Sequence, residues 1–299
     1  MLTYNMDVTP ESVWKRTTPS EAELAQPYYC TEAGVFYAQQ HFSTARTDKE
    51  SYILFYTLRG AGLIEQDGNH VILSTGQALL LNCRTPQSYC TAPGQSCWHH
   101  YWVHLDGVGV AAMEPLLFPG KKLTPVQITG AKMQELFETI LGQMERGNVD
   151  SMVQTGLALH GMLALCAQTI LAEAETTSAW QVILQAAEIL RKNYQKELSL
   201  ADLLADAHMS KSYFLRLFRR YMGTTPYNYL VNFRITQAKE LLVLTDHSVT
   251  EIAQQVGFGD ASNFSTRFAK ATGQSPLQYR KSALKPLDFT REAGGFMSK

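Results

Sequence analysis

Residues 199–229 read SLADLLADAHMSKSYFLRLFRRYMGTTPYNY, and residues 248–279 read SVTEIAQQVGFGDASNFSTRFAKATGQSPLQY. Laid over each other at an offset of 50, Phe214, Phe218, Gly223, Pro226 and Tyr229 fall on Phe264, Phe268, Gly273, Pro276 and Tyr279. Five coincidences of mostly uncommon residue types mark an internal repeat. Each copy carries the same punctuation. Ser199-x-x-Asp202 and Ser248-x-x-Glu251 are capping boxes that open a short helix. A tight connection follows, Asp206-Ala207-His208-Met209 in one copy and Gly257-Phe258-Gly259 in the other. Ser210 and Asp260 then cap a second helix, whose two phenylalanines lie one turn apart and face the core. Gly223 and Gly273 end it, and Thr225-Pro226 and Ser275-Pro276 cap and open the next. Short helix, tight turn, second helix is the helix-turn-helix pattern. The first copy has Leu203-Leu204-Ala205 against Ile252-Ala253 in the second, which leaves the register of the first short helix open by one residue.

The charge around this repeat is uneven. Residues 1–179 hold 10 Lys/Arg against 17 Asp/Glu, a net −7, whereas residues 180–285 hold 14 against 8, a net +6. A basic C-terminal half beside an acidic N-terminal half points to a polyanion as partner of the C-terminal half alone. The 299 residues suffice for two domains, with 45% hydrophobic and 18% charged residues, as in globular proteins. No run of about 18 apolar residues is visible, so no membrane span is expected. The start of the chain, MLTYNMDVTPESVWKR, shows no secretory signal pattern. Five cysteines (Cys30, Cys83, Cys90, Cys97, Cys166), odd in number and without a C-x-x-C, point to reduced thiols and a cytoplasmic location.

Residues 35–105 have the pattern of strands. Tyr52–Leu58, Leu63–Glu65, Val71–Leu73, Ala78–Leu81 and Trp98–His104 are β-rich runs, divided by turns such as Arg59-Gly60-Ala61-Gly62, Gln66-Asp67-Gly68-Asn69 and Ser74-Thr75-Gly76. Such spacing indicates a sandwich or barrel. The period then becomes helical. Met133, Leu136, Phe137, Ile140, Leu141 and Met144 form one apolar stripe, ended by Gly147-Asn148. Met152, Leu159, Leu163, Cys166 and Ile170 step by 7, 4, 3 and 4, like a coiled-coil seam. That seam either packs on the chain's own strands or pairs with a second subunit. Residues 173–179 are small and polar and read as a linker, and helical periodicity resumes at Trp180, Ile183, Leu184, Ala187 and Leu190.

On a strand, Trp98, His100, Trp102 and His104 share one face. Aromatic rings can stack on the apolar face of a sugar while His and Arg bond its hydroxyls; the plainer alternative is an aromatic core with satisfied histidines. A cupin metalloenzyme is a rival reading for His99-His100 and His104. However, His100 and His104 lie about 13 Å apart along a strand, too far to share an ion. The H-x-H followed by Glu of cupin metal sites is absent, as are nucleophile motifs and phosphate loops. No enzyme activity, metal or cofactor is therefore expected.

The C-terminal region resembles the DNA-binding domain of the AraC/XylS family of transcription regulators. The resemblance rests on Ile252-Ala253, Gly257-Phe258, Phe264, Phe268-Ala269-Lys270, Gly273, Ser275-Pro276 and Tyr279-Arg280, with Arg234-Ile235-x-x-Ala238-x-x-Leu241-Leu242 matching the helix that joins the two units. It implies two recognition helices on one rigid monomer, spread over about two turns of promoter DNA. The expected DNA-facing residues are Ser210, Lys211, Ser212, Tyr213, Arg216, Arg219 and Arg220 in the first unit. In the second they are Ser262, Asn263, Ser265, Thr266 and Lys270, with Thr266 standing where the family often has a basic residue. Arg216 is suited to the O6 and N7 of a guanine, and Arg219, Arg220 and Lys270 to phosphates.

Residues 35–105 are similar to the sensor domain of sugar-responsive members of that family, a cupin-like barrel. This resemblance implies an effector pocket at Arg46, Tyr89, His100 and Trp102. The expected architecture is a two-domain α+β chain. Residues 1–172 form a cupin-like β-barrel (jelly roll) with two packed helices, which binds a small effector, a sugar, and dimerises. Residues 173–179 are a linker, 180–285 an all-α domain with two helix-turn-helix units, and 286–299 a tail. The expected partners are double-stranded promoter DNA, the effector, a second copy of the chain and, for an activator, RNA polymerase. An N-terminal domain that only oligomerises remains an alternative.

Overall fold

The computed structural model describes residues 2–47, 49–119, 122–175, 178–205, 207 and 209–283. The chain divides into two compact units, Met1–Thr176 and Thr177–Lys299. The expected tail, 286–299, lies outside the described residues, as do Asp206 and His208 of the first helix-turn-helix connection.

The N-terminal unit is built on β5 (Tyr52–Gln66). Its first half pairs with β7 (Gln77–Asn82) on one side and β9 (Cys97–Asp106) on the other. Its second half pairs with β6 (Asn69–Ser74) and β8 (Gln87–Thr91). Between the halves the register shifts at Thr57/Arg59, and Gly60 takes φ +75°. A Cβ on Gly60 would lie 2.0 Å from the Cys97 carbonyl oxygen, so only glycine lets the strand bend here. The bend curls the whole sheet. With β1 (Leu2–Asn5), β2 (Val13–Arg16), β3 (Tyr29–Gln39) and β4 (Ser43–Arg46), the path runs β1-β4-β8-β5-β9-β3-β2, all antiparallel. Among the described residues β1 and β2 do not pair, so the expected cupin-like barrel is a curled half-barrel. The β5–β6 hairpin turns on Asp67 (φ +51°) and Gly68 (φ +74°), the primed two-residue turn that suits strand twist.

Both faces of this sheet are covered. Ile53 and Phe55 point inward with Phe36, Ile64, Trp98 and Trp102. A short helix, α1 (Glu21–Leu24), precedes β3. Tyr52, Leu54 and Tyr56 point outward with Tyr101 and Val103, against α2 (Val108–Leu117), α3 (Lys132–Gln143) and α4 (Val149–Glu175). A strand buried on both faces reads as a continuous apolar run, and Tyr52–Leu58 is one.

The seam on α4 belongs to this packing. Leu159, Leu163, Cys166 and Ile170 are buried against the strands, with Met133, Phe137 and Ile140 of α3. That outcome is the intramolecular alternative for the seam. By length and composition alone α4 is long and apolar enough to cross a membrane, Val149–Glu173 reaching a mean hydropathy of 1.5. One side of it, with Leu159, Met162, Leu163 and Ile170, is buried in the core, while Val153 and Leu157 on another side are exposed. The expected linker also changes: Glu173–Glu175 belong to the end of α4, and α5 (Ser178–Lys192) begins three residues after Glu175. Alanine and glutamate are good helix formers, so small polar composition did not stop the helix there.

The C-terminal unit contains α5, α6 (Leu200–Leu204), α7 (Lys211–Met222), α8 (Pro226–Leu244), α9 (Val249–Gln255), α10 (Ala261–Thr272) and α11 (Pro276–Ala283). Both capping boxes form, and Gly223 and Gly273 end α7 and α10 in the left-handed conformation. The open register is resolved: Ser199 and Leu203 match Ser248 and Ile252 at an offset of 49, and the offset becomes 50 from Ser210 and Asp260 onward. Helix α8 is the shared spine. Its Leu230 joins the core of the first unit (Phe214, Leu217, Phe218), and Val231, Ile235, Ala238 and Leu242 that of the second (Ile252, Phe264, Phe268).

Two arginines fasten the chain ahead of each unit. Arg234 donates from Nε to the Tyr194 carbonyl (2.6 Å) and from Nη2 to that of Lys196 (2.8 Å). Arg280 donates to the carbonyls of Leu242 (3.0 Å) and His247 (2.6 Å). In the second turn Gly257, at φ +90°, comes so close to this chain that a Cβ would lie 2.7 Å from the Tyr194 carbonyl oxygen. Gly257→Ala is therefore expected to destabilise the C-terminal unit by about 1–3 kcal/mol, from backbone strain with no room to relax; urea unfolding of the variant against the parent chain measures it.

Candidate effector cavity and nucleic-acid interface

The concave face of the curled sheet holds a cavity. Its free volume, about 30 Å³, has room for about two water molecules. Arg46, Tyr89, His100 and Trp102, the four expected pocket residues, all line it. Strand alternation brings them together: Arg46 comes from β4, Tyr89 from β8, and His100 and Trp102 from one face of β9. His104, on the same face, lines it as well.

The wall is mostly aromatic. Trp98 stacks on His100 at 3.7 Å and 21°, Phe55 meets Tyr89 edge-on at 4.9 Å, and Trp102 lies 5.1 Å from Phe36. Trp14 meets Trp102 edge-on at 5.8 Å. Sequence reading missed Tyr4, Met6 and Trp14, which come from β1, β2 and the segment between them. Two four-residue strands offer too little alternation to detect, and both lie outside the segment read as strands.

At one end the wall is charged. Glu32 accepts from the Trp14 indole (3.1 Å) and pairs with Lys49. Burial pushes the Glu32 carboxyl up, but the bond and charge of Lys49, with Trp14 and Arg46, outweigh it and hold the group below its ordinary range. Burial pushes the Lys49 ammonium down against the opposing pull of Glu32. His104 sits 3.0 Å from the Ser51 hydroxyl through Nδ1; burial, then the charges of Lys49 and Arg46, keep it neutral.

His100 is more informative. Its Nδ1 lies 2.9 Å from the Trp98 carbonyl oxygen, which can only accept, so Nδ1 carries the proton and donates. Burial depresses its pKa to about 3. The ring is thus neutral, with an acceptor lone pair on Nε2 that has no partner. Trp102 Nε1 and Arg46 Nε are likewise buried without partners, and both are donors. One acceptor and two donors held among aromatic rings suit a ligand that carries hydroxyls on an apolar ring. No group of three or more His, Cys, Asp and Glu among the described residues could hold a metal ion.

In the C-terminal unit, Lys211, Ser212, Tyr213, Arg216 and Arg219 of α7 are exposed, opposite the buried Phe214, Leu217 and Phe218. The Arg216 guanidinium rests 5.2 Å over the Tyr213 ring, extended along the exposed face. Ser210 is the N-cap, its hydroxyl accepting from the Tyr213 amide (3.3 Å). Arg220 is half-buried, 5.7 Å over the Tyr221 ring, at the edge of that face.

In α10, Ser262, Asn263, Thr266 and Lys270 are exposed. Ser265 is half-buried and donates to the Ala261 carbonyl (2.8 Å), and Thr266 donates to that of Ser262 (3.0 Å). Arg267, absent from the expected set, reaches the Tyr227 hydroxyl at 3.4 Å and lies 5.4 Å over its ring, linking α10 to the start of α8. The exposed face of α7 is therefore strongly basic and that of α10 mostly neutral, with Lys270 its exposed cation.

Comparison with known proteins adds the identity of both units. Residues 30–162 match the family model of the AraC-like ligand binding domain, and residues 203–282 that of a helix-turn-helix domain. The chain is 26% identical over 245 residues to the raffinose operon transcriptional regulatory protein RafR of Pediococcus pentosaceus, covering 78% of this chain and 86% of that one. It is 26% identical over 244 residues to the arabinose operon regulatory protein of Salmonella typhimurium, covering 77% and 84%. Among solved structures, the DNA-binding domain of AdpA in complex with a target DNA is 32% identical over 36% of this chain and 93% of that chain, with a TM-score of 0.31. With both domains matched in one chain, a ligand-binding half-barrel ahead of two helix-turn-helix units, the protein belongs to the AraC family of DNA-binding transcription regulators.

Proposed function

We propose that the effector is a sugar held in the half-barrel, and that its binding alters how a homodimer fits promoter DNA in the cytoplasm. The observation that carries this reading is the set of unpartnered polar atoms among aromatic rings, the acceptor on His100 and the donors on Trp102 and Arg46. Relatives whose names tie them to raffinose and arabinose operons support a sugar over other hydroxylated ligands. The function is regulation without catalysis; an activator would also meet RNA polymerase. The seam of α4 is spent on its own sheet, so the dimer reading passes to the outward side of that helix, where Val153 and Leu157 are exposed.

Thermal unfolding against a panel of saccharides tests the effector. A sugar at a hundred times its dissociation constant stabilises the N-terminal unit by about 2.7 kcal/mol, and Trp102→Ala is expected to abolish that shift. A panel that moves nothing sinks the sugar reading and favours a purely oligomerising unit.

The buried histidines set a pH dependence. The folded-state pKa of His100, about 3, lies below its unfolded value of 6.5, so the unfolded chain binds the proton more readily. Stability is complete above pH 6.5 and declines as the pH falls, by about 2 kcal/mol from His100 at pH 5. His104 adds with the same sign. Melting temperatures of the N-terminal unit between pH 7 and 5 are expected to drop, with a shallower slope in His100→Asn. An unchanged slope would remove His100 as the cause.

For DNA, Arg216→Ala is expected to weaken specific binding by about 1–3 kcal/mol and relax preference at one base pair. Lys270→Ala should weaken all sequences alike and reduce the salt slope by about one. Selection from random duplexes followed by anisotropy titration distinguishes these outcomes. For assembly, Leu157, 61% exposed, contributes little to the monomer core. Leu157→Asp is expected to convert a dimeric mass in sedimentation to a monomeric one without lowering the melting temperature.

A further inference from the structure

Helices α7 and α10 share one frame and differ in the chemistry it carries. At about 100° per residue, Arg216 lies directly opposite the buried Phe214 and Phe218, and Thr266 directly opposite the buried Phe264 and Phe268. At the offset of 50, Lys211, Arg216 and Arg219 of α7 fall on Ala261, Thr266 and Ala269 of α10. Cations are exchanged there for methyl-bearing side chains. Arg220 alone has a basic counterpart, Lys270. The other cation of α10, Arg267, stands where α7 has the buried Leu217, and its guanidinium is turned to the Tyr227 hydroxyl of α8.

Hydrogen bonds within α10 narrow what its exposed face can read. Thr266 gives its hydroxyl hydrogen to the Ser262 carbonyl (3.0 Å), and Ser265 gives its own to the Ala261 carbonyl (2.8 Å). Neither keeps a hydrogen for the O6 or N7 acceptors of a guanine. What Thr266 retains unengaged is its Cγ2 methyl, on a side chain that is exposed. In the major groove thymine is the one base with a methyl group, and it takes apolar contact there, whereas guanine takes the paired donors of an arginine. Asn263 is exposed in the first turn of α10, with its backbone amide capped by Asp260 (2.7 Å). A carboxamide pairs with N6 and N7 of adenine, and the N-terminal residues of such a helix are the ones that meet base edges.

We propose that the two units read different bases: α7 a guanine through Arg216, and α10 an A·T segment, with the Thr266 methyl against the C5-methyl of a thymine and the Asn263 amide on an adenine. Each monomer then binds two unlike half-sites, and in one orientation only. This rests on the reading that the exposed faces of α7 and α10 enter the major groove.

Selection of random duplexes with the full chain yields the bound sequence, and the half-site that loses its preference in Arg216→Ala is that of α7. The other half-site is expected to hold A·T pairs. Replacing its thymines one at a time by uracil removes only the C5-methyl. At one position the affinity is expected to fall about fourfold, the worth of one methyl group withdrawn from water. Thr266→Ser, which keeps the hydroxyl and lacks the methyl, is expected to abolish that fall; Thr266→Val, which keeps the methyl, is expected to retain it. Asn263→Ala is expected to reduce the preference for adenine at one position by about fivefold or more. All three variants keep the guanine preference of the α7 half-site. The assignment of α10 is overturned, with that of Arg216 left standing, by a second half-site of G·C pairs, by a uracil effect that is absent, persists in Thr266→Ser or vanishes in Thr266→Val, or by an adenine preference that persists in Asn263→Ala. An Arg216→Ala chain with the affinity and base preference of the parent overturns the reading on which both assignments rest.

Discussion

Strand β5 must bury both of its faces, and the rest of the N-terminal unit follows from that constraint. One face needs helices, and α3 and α4 supply them with Phe137, Leu159 and Leu163. The other face needs the sheet to curl over it, and the bend at Gly60 allows this by carrying β5 from its pairing with β7 and β9 to its pairing with β6 and β8. Curling places β4, β8 and β9 around one concave space. Polar groups that alternate inward along those strands then have no solvent and few partners.

That enclosure has electrostatic consequences. A histidine inside it stays neutral, because the charged form would lose its hydration; His100 and His104 are both held so. The carboxylate of Glu32 remains ionised only because Lys49 and Trp14 are there to meet it. Atoms left without such partners are the unusual feature, since most buried polar groups in folded proteins are satisfied. Arg46, His100 and Trp102 bring three such atoms to one concave wall, a feature that rings and apolar burial by themselves do not produce.

The C-terminal unit solves a different problem. Two short helix-turn-helix units, each with a small phenylalanine core, are too small to be rigid alone. Helix α8 contributes side chains to both cores, while Arg234 and Arg280 hold the chain leading into each unit through backbone carbonyls. The shared helix thereby ties α7 and α10 to one spine. The two faces differ in charge: α7 exposes Lys211, Arg216 and Arg219, whereas α10 exposes Lys270 among Ser262, Asn263 and Thr266.

How much was legible follows from the range of each signal. The helix-turn-helix pair was readable because caps, αL glycines and i, i+4 phenylalanines act within a few residues: Ser199, Ser248, Gly223 and Gly273 all take the roles their spacing indicates. The inward face of β9 was readable for the same reason, through its period of two. The sequence by itself therefore determined the local elements, the repeat and the alternation of the long strands. Tertiary structure decided the rest: that the α4 seam lies on the chain's own sheet, that helix continues through Glu175, and that Tyr4, Met6 and Trp14 close the cavity. It also decided which polar side chains have partners, as the pairing of Glu32 with Lys49 and the unpartnered Nε2 of His100 show. Pairing and burial depend on groups brought together from distant positions, and no local pattern specifies which groups those are.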